Sequence, residues 1–448
     1  MIFTHWVKEK HHQFNPTFMI QPSDRKVNFQ FSNSDLSSHG GIFLYANFIK
    51  RLNLIERIRK HISFDKHCWV IHEPAQAIIQ KVLSLIGGYA DNNDVDEIKY
   101  DPVYRQILQE NIASQPTLSR IEHHADGRTI GGFYALNLEL LHQKWQNEGR
   151  TELIVDIDST DSVTHGSQPG SAYHGYYGAT IYHPLYVFEG NTGDLIKATL
   201  RHGNTCSSHK IVKIITPVIE QLLAWGYTIK IRGDSGMNDP YFYEQCEHWG
   251  VEYIIRLKKN PRLAQKAVAL LPIKKITDRV DNTLYASFNY QADSWGHERT
   301  AHVKQIYRSG QLFPEYYFVL VNNIQDKAEE VFQCYEARGT AENFIKESKL
   351  DLFSTRLSCN RFWANAFRLQ LSCLAYNINN FFRSRILPDE LKFHFLSTLR
   401  VKLINVGCRI IKHARRIICQ FGKSFRIRKL FNIITAKLKT FHLSLPSP

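Results

Sequence analysis

The sequence predicts an α/β protein, a sheet of mixed strand direction that carries a second β-rich segment and is flanked at both ends by helical regions. Three observations predict it. The first 150 residues repeat apolar side chains at helical spacing, and from Thr151 the period shortens to two, as in strands. From Ser207 onward, amphipathic helical stretches alternate with short strands. A chain of 448 residues with 43% hydrophobic side chains has material for more than one core.

In the helical region, residues 42–62 and 74–86 carry apolar side chains at i, i+3 and i+4, the second run opening on a proline. Residues 101–124 hold two short helical patterns joined at Ser114-Gln115-Pro116, the layout of a helix-turn-helix. Its second helix begins near Thr117 and shows Ser119, Arg120 and His123 or His124 outward. Any αα-hairpin gives the same pattern, so plain packing competes with DNA reading.

Strands follow. TELIVDIDST alternates Leu153, Val155 and Ile157 with Ile154, Asp156 and Asp158, which puts two carboxylates on one face. AYHGYYGATIYHPLYVFEG reads as two adjacent strands around His183-Pro184, and Ser207-Ser208 caps a helix that Gly226 stops. YTIKIRGDSG is a strand ending at Asp234 and a turn, and a helix from Asp239 leads to the strand VEYIIRLKKN. Residues 261–328 read as a β insertion with turns at Asp281-Asn282, Ser309-Gly310 and Pro314. The Ala-, Glu- and Lys-containing stretch 335–349 predicts one helix, and an apolar helix packed beneath the sheet comes next. The expected organisation is thus a helical region 1–150, a candidate for DNA binding; a catalytic domain 151–260 and 329–383; the β-rich insertion 261–328; and a basic helical region 384–448.

The net charge of +14 and a pI of about 9.3 favour a polyanionic partner, most simply nucleic acid. Between Arg383 and Thr440 fifteen Lys or Arg face only Asp389 and Glu390, so nearly the whole excess lies there. Eight cysteines without a CxxC pair indicate neither a zinc site nor a disulfide framework, and a reducing cytoplasm is expected. The N-terminus lacks the apolar core of a signal peptide. Residues 369–382 are too short to span a bilayer and are interrupted by Asn377, Asn379 and Asn380, so a soluble protein is expected.

The candidate chemistry centres on YEARGTAENFIKESK. At about 100° per residue measured from Glu342, Arg338 falls near −40°, Tyr335 near +20° and Lys349 near −20°, one stripe of four polar residues. Phe344 and Ile345 point elsewhere, and Glu347 lies about 140° away. A carboxylate flanked by a guanidinium, an ammonium and a phenol suits a metal ion with phosphates. Arg–Glu pairing on a solvated helix face gives the same pattern. Asp158 and Asp234 each end a strand, where α/β sheets open their crevices. With Glu342 packed alongside, three hard oxygen ligands suit Mg²⁺ or Mn²⁺, and two such ions about 3.5–4 Å apart serve phosphodiester chemistry. Asp156 shares the face of Asp158 and Asp161 follows, so proximity alone does not choose among them. His165, His183 and His202 read as structural, and Arg201 as a surface residue.

The spacing Tyr335, two residues, Arg338, three residues, Glu342, six residues, Lys349 resembles the Y-R-E-K signature of bacterial insertion-sequence transposases of the Asp-Asp-Glu class. Asp158-Ser159-Thr160 is similar to the first acid of that class and Gly233-Asp234-Ser235-Gly236 to the second. DIDSTD, YHPL, LRHGN, RGDSG and RGTAENFIKESK are similar to its insertion-sequence thirteen-eighty branch. The resemblance covers residues 151–383 well and the first 150 loosely.

It implies an RNase H-like fold interrupted by a β insertion before the Glu-bearing helix, with two Mg²⁺ ions held by Asp158, Asp234 and Glu342. Tyr335, Arg338 and Lys349 are then expected to hold phosphates, and Asp156 to hold a water or the metal from behind the direct ligands. Trp295 is the candidate for an aromatic residue that, in some relatives, stabilises a flipped base. The implied activity is binding of terminal inverted repeats, cleavage, and transfer of 3′-hydroxyl ends into target DNA. The implied partners are double-stranded DNA and a second copy of the chain, in the cytoplasm at the nucleoid. Two readings compete: an RNase H-like nuclease without strand transfer, and an inactive transposase-derived DNA-binding protein.

Overall fold

The computed structural model describes residues 17–19, 26–28, 30–64, 72–206, 208, 210–273, 282–308, 310–323, 325–414 and 416–443. The chain opens with an antiparallel pair, β1 (Thr17–Met19) and β2 (Lys26–Asn28), then β3 (Asp35–Ser37). Among the described residues seven helices follow: α1 (Ile42–Arg51), α2 (Leu54–His61), α3 (Pro74–Gly87), α4 (Val95–Ile98), α5 (Pro102–Ile107), α6 (Gln115–His124) and α7 (Gly127–Asn147). The run expected over 42–62 splits at Asn53, whose φ of 49° turns the chain between α1 and α2. Pro74 opens α3, where its missing N–H costs nothing, and Gly88 at φ 105° ends it. A capping box of Asp126 and Thr129 starts α7.

The strand-rich part holds β4 (Glu152–Ser159), β5 (Ser162–Val163), β6 (Ala172–His174), β7 (Ala179–Tyr182), β8 (Leu185–Glu189) and β9 (Leu195–Thr199). After α8 (Ile211–Ala224) come β10 (Thr228–Gly233), α9 (Pro240–Trp249), β11 (Glu252–Leu257) and α10 (Pro261–Leu270), then β12 (Asn282–Tyr290), β13 (Arg299–Tyr307) and β14 (Glu315–Val321). Of the capping pair expected before α8, Ser207 lies outside the described residues, and Lys210 in the left-handed region precedes the first turn. The last elements are α11 (Ala328–Glu336), α12 (Gly339–Leu350), α13 (Phe362–Arg385), α14 (Asp389–Lys392), α15 (Leu396–Leu399), β15 (Cys408–His413), β16 (Arg416–Phe421) and α16 (Phe425–Thr440).

Among the described residues eight strands form one mixed sheet in the order β12-β13-β14-β11-β10-β4-β8-β9. Within it, β4, β10 and β11 run parallel while β8 is antiparallel to both of its neighbours, a sheet of mixed direction as the sequence predicts. The segment read as an insertion is not a separate layer, because β14 pairs antiparallel with β11 and carries β13 and β12 outward on the same sheet. The two strands expected around His183-Pro184 do not pair with each other. β7 joins β5 and β6 in a small sheet of its own, and β8 enters the main sheet.

One face of the large sheet, with Leu153, Val155, Ile157, Ile229, Ile231 and Ile255, packs under α8, α9 and α10. The other, with Tyr186, Phe188, Leu195 and Ala198, meets α13 and the N-terminal helices. The asparagines that interrupt α13 have partners. Asn377 donates to the Leu195 carbonyl at 2.8 Å, Asn380 to Asp194 at 2.7 Å, and Gln370 to the Ala198 carbonyl at 2.8 Å, so the buried helix serves the polar groups of the edge strand β9. Among the described residues no helix is long and apolar enough to cross a membrane.

The C-terminal region is only partly helical. Its β-branched runs CRIIKH and RIICQF form the hairpin β15–β16, and β15 pairs with β3, fastening the two ends of the chain together.

Candidate active site

Strand register alone brings the first two acids together. On β4 the side chains of Ile154, Asp156 and Asp158 alternate with the buried Leu153, Val155 and Ile157. On β10 Arg232 pairs with Asp156 and Gly233 with Ile157, so the next residue, Asp234, comes level with Asp158 on the same face of the neighbouring parallel strand. Neighbouring strands lie about 4.8 Å apart. One pleat below, Asp156 and Arg232 form a buried two-pronged ion pair, Nε to Oδ1 at 2.6 Å and Nη2 to Oδ2 at 2.7 Å. Burial pushes the Asp156 carboxyl up against the pull of Arg232. With both oxygens engaged by Arg232, Asp156 forms a strut beneath the site.

The third acid arrives on a helix that is broken where one helix was expected. α11 ends at Glu336 and α12 begins at Gly339, with Arg338 between them bonded from its N–H to the Tyr335 carbonyl at 2.9 Å. A tight turn and a glycine, the poorest non-proline helix former, separate Tyr335 from Glu342. Arg232 also donates to the Cys334 carbonyl, which ties the end of α11 to the sheet beside the acids. Arg338 is 8% exposed and reaches Asp158 Oδ2 at 3.1 Å and the Ile157 carbonyl at 3.3 Å, while its buried Nε has no partner. Glu342 is exposed in the first turn of α12, where a carboxylate suits the helix dipole. Phe344 packs on Phe188 and Ile345 is buried. Glu347 is consumed by Arg383 at 3.0 Å and by the Leu396 N–H at 3.0 Å.

The charges of these groups bear on one another. Burial pushes the Asp158 carboxyl up to about 6; Arg338 opposes that, and the charges of Asp234 and Glu342 add to it. Burial also raises the Tyr335 phenol, with Arg338 and Arg256 opposing and Asp234 and Asp158 adding. Lys349 sits at the mouth, its ammonium 3.0 Å from Asp161 Oδ1 and 3.1 Å from Thr160 Oγ1. Among the described residues no three His, Cys, Asp or Glu are already gathered as a metal centre, so the acids are electrostatic neighbours and not a finished ligand set. The donors nevertheless fit a hard divalent cation. They are carboxylate oxygens, and one has its carboxyl pushed up first by burial and then by the negative charge of its companions, which a cation would relieve.

A family model described as a transposase DDE domain, group 1, matches residues 20–443. The chain belongs to this family. No curated protein matches the chain. Among solved structures, the fold is similar to a piggyBac transposase in a synaptic complex with hairpin DNA, at 11% identity and a TM-score of 0.43, covering 93% of this chain and 89% of that one. Enzymes of the DDE class generally work with divalent metal ions.

The remaining expected residues of this DDE transposase distribute unevenly. Trp295 is 9% exposed and sits in the core, edge-on to Tyr243 at 5.6 Å and to Tyr290 at 5.4 Å under the Arg299 guanidinium. Its ring is used for packing, which corrects the expectation of a base-stacking role. The turn expected between α5 and α6 is the whole of residues 108–114, longer than the 3–4 residues typical of a helix-turn-helix. α6 is fastened to α13 by buried Glu122, 2.9 Å from Arg368. Arg120 and His124 are exposed on it, whereas His123 is bound to the Ser119 carbonyl and Asn360. His183 is structural, its Nδ1 against the Thr205 carbonyl at 2.7 Å. Arg201, read as a surface residue, is buried and donates to Ser159 at 2.8 Å, so it braces the end of β4 next to Asp158.

One residue escaped sequence reading. Arg256 on β11 continues the register that pairs Gly233 with Ile255, so it stands level with Asp234 and is exposed on the face of the acids. The signal was the alternation in VEYIIRLKKN, where Glu252, Ile254 and Arg256 share the parity that carries Asp158 and Asp234 on the two strands beside it.

Proposed function

We propose that the chain is the transposase of a bacterial insertion sequence of the thirteen-eighty branch. It binds the terminal inverted repeats of its element, cuts the DNA there, and joins the 3′-hydroxyl ends to target DNA. The observation that supports this reading is the strand register that sets Asp158 and Asp234 level on neighbouring parallel strands, with the charge of Glu342 also bearing on Asp158. Hydrolysis and strand transfer are both in-line displacements at phosphorus, so one site serves both.

Asp158, Asp234 and Glu342 would hold two Mg²⁺ or Mn²⁺ ions, which when bound polarise a phosphodiester and lower the pKa of the attacking water or hydroxyl. The protein's own groups do the rest. Arg338 has a free buried Nε to offer a phosphate oxygen, besides the guanidinium edge on Asp158. Tyr335, held half-buried beside it, orients that phosphate by its hydroxyl, and Lys349 and Arg256 supply positive charge on either side of the acids. The exposed cations of α16 and the loop before it, Lys423, Arg426, Arg428 and Lys429, meet the DNA backbone outside the site. Two element ends call for two subunits, and a homodimer at the nucleoid is the working form.

The test is incubation of the purified protein with labelled DNA carrying the ends that flank its own gene, with Mg²⁺, with EDTA, and with Glu342→Ala in parallel. Metal-dependent nicks at the end boundary that vanish in the variant, while end binding persists, establish the reading. Cleavage indifferent to the terminal sequence favours the nuclease without strand transfer. Binding with no metal-dependent product, even with Mn²⁺, leaves a DNA-binding derivative.

A further inference from the structure

The hairpin β15–β16 carries arginines that no described residue engages. Its strands, CRIIKH and RIICQF, lie in a stretch, residues 391–448, that holds no Asp or Glu, so no carboxylate near in sequence is there to pair with them. Elsewhere the chain leaves little guanidinium unused. Among the described residues, exposed arginines before residue 400 are each held by an ion pair or a hydrogen bond, as Arg59 is by Glu73, Arg105 by Glu110 and Arg356 by Asp91. The exception is Arg256 beside the acids, which lies over the Tyr317 ring. The side chains of Arg409 and Arg416 have neither hydrogen bond nor ion pair among the described residues.

Strand alternation sorts the hairpin into two faces. The inner one, with Cys408, Ile410, Cys419 and Phe421, packs on the core, and Phe421 meets Phe431 of α16 at 4.5 Å between ring centroids. The register sets the outer one: Arg409 opposite Gln420, Ile411 opposite Ile418, and His413 opposite Arg416. All four polar residues of that face are exposed. The root of the hairpin is fixed by β3 and by the Gly40 N–H on the Val406 carbonyl at 3.0 Å. β3 pairs with Cys408–Ile410 only, so beyond Ile410 two strands continue alone. There the ribbon stands clear of the body on its inner face too: Ile410 is 4% exposed but Ile417 is 44% exposed, and Lys412 keeps a 3.5 Å contact to Glu110. A two-stranded antiparallel ribbon is one of the elements that the major groove of DNA, about 12 Å wide, admits. Its rows of outward side chains are about 6.8 Å apart, the rise of two base pairs. The residue types suit base edges. Arginine donates two bonds to guanine O6 and N7, glutamine exchanges two with adenine N6 and N7, and an apolar row such as Ile411–Ile418 meets thymine methyls. On α6, by contrast, Arg120 is turned to Thr117 Oγ1 at 3.3 Å and both ring nitrogens of His123 are bound.

We propose that the outer face of β15–β16 enters the major groove of the element end and reads its base sequence, Arg409 and Arg416 at guanines and Gln420 at an adenine. The inference rests on the reading of the chain as a transposase that binds its own ends, and it names the surface that tells those ends from other DNA. The exposed Arg426, Arg428 and Lys429 of α16, which follows β16 directly, hold the flanking phosphates and supply affinity without sequence information.

The test uses the full chain in EDTA, with fluorescence anisotropy on two duplexes of equal length, one carrying the element end and one a scrambled version of it. Wild type is expected to prefer the end. Gln420→Ala and Arg409→Lys should each lose about fivefold or more of that preference, from the ~1 kcal/mol or more that one two-pronged base contact is worth. Both should bind the scrambled duplex as wild type does and with the same salt dependence, since neither changes the charge of the ribbon. Replacing guanines of the end one at a time by 7-deazaguanine, which lacks the N7 acceptor, should reveal a position that weakens wild type and leaves Arg409→Lys unaffected. Variants that keep the preference, or that weaken both duplexes alike, overturn the ribbon as the reader, and so does a wild type that binds both duplexes alike. If wild type nicks the end boundary with Mg²⁺ in those cases, the transposase reading stands and only the ribbon falls; if it neither binds nor cuts the end DNA, both fall. Loss of preference in the variants of a protein that does not cut upholds the ribbon and overturns the chemistry.

Discussion

Replacing Arg338 by glutamine should move the pH at which the site accepts a divalent ion. In the metal-free protein the Asp158 carboxyl titrates at about 6. Metal can bind only the ionised form, so affinity should fall about tenfold per pH unit below that point. Arg338 is what holds the value that low, its Nη2 being 3.1 Å from Oδ2. At that separation a unit-charge pair is worth about 5 kcal/mol at an effective dielectric of 20, and an adjacent arginine typically lowers an aspartate by about one to three pH units. Removing it should carry the onset of metal-binding loss from about pH 6 to roughly pH 7–9. The same residue sets a sign for stability. The folded carboxyl titrates above its unfolded value of 3.8, so the folded state holds the extra proton between about pH 4 and 6, and this group makes the fold less stable as pH rises through that window. In Arg338→Gln the penalty should extend to higher pH. Calorimetric Mn²⁺ titration across pH 5–9, with thermal unfolding of the metal-free protein alongside, measures both. An onset in Arg338→Gln that coincides with wild type would refute the assignment of Arg338 as the group that keeps Asp158 ionised.

Three further outcomes are expected. Asp156→Ala leaves buried Arg232 without its partner and should cost about 3–5 kcal/mol of stability, seen as a lowered denaturant midpoint at an unchanged slope; a variant as stable as wild type would show that the pair is no strut. Lys349→Ala should weaken binding of end DNA uniformly across sequences and reduce the slope of log affinity against log salt by about one, because a single phosphate contact is lost. Reversing Arg426 and Lys429 together to glutamate should flatten that slope further while leaving any metal-dependent nicking position unchanged, measured by gel shift at several salt concentrations and by mapping the nicks.

Much of the site was legible because strand alternation is a strict rule. Once TELIVDIDST and YTIKIRGDSG are strands with a buried parity, Asp158 and Asp234 must face the same way, and only the register between them, Gly233 opposite Ile157, had to come from tertiary structure. The helix was less legible. The angular stripe of Tyr335, Arg338, Glu342 and Lys349 assumed a continuous helix, and the turn at Ala337-Arg338 changes the rotation between Tyr335 and Glu342. Local propensity favoured helix throughout, while the long-range pull of Arg338 toward Asp158 and of Cys334 toward Arg232 accompanies the break. Sequence spacing could not register either contact. The β-rich segment was read correctly as strands, yet nothing local in it tells that β14 will find β11 and extend the catalytic sheet. Trp295 was misplaced for the same reason: a tryptophan beside glycine in a turn looks exposed until Tyr243, from a helix fifty residues earlier, closes over it.

The division of labour among arginines explains why a strongly basic protein can nevertheless keep an acidic centre poised. Arg232, Arg338 and Arg383 are buried and each is bound to a carboxylate, those of Asp156, Asp158 and Glu347. Of these three pairs, that of Asp158 is the incomplete one, because Arg338 keeps an unpartnered Nε while Asp158 remains under the charge of two further acids. Such a pair keeps capacity on both sides, and the two needs are complementary: a cation for the acids and an anion for the guanidinium. A metal-bound phosphodiester brings both at once. The Asp156–Arg232 pair, complete and one pleat deeper, gives the pattern of a pair that needs nothing, and the difference between the two marks which end of the sheet is built for a ligand.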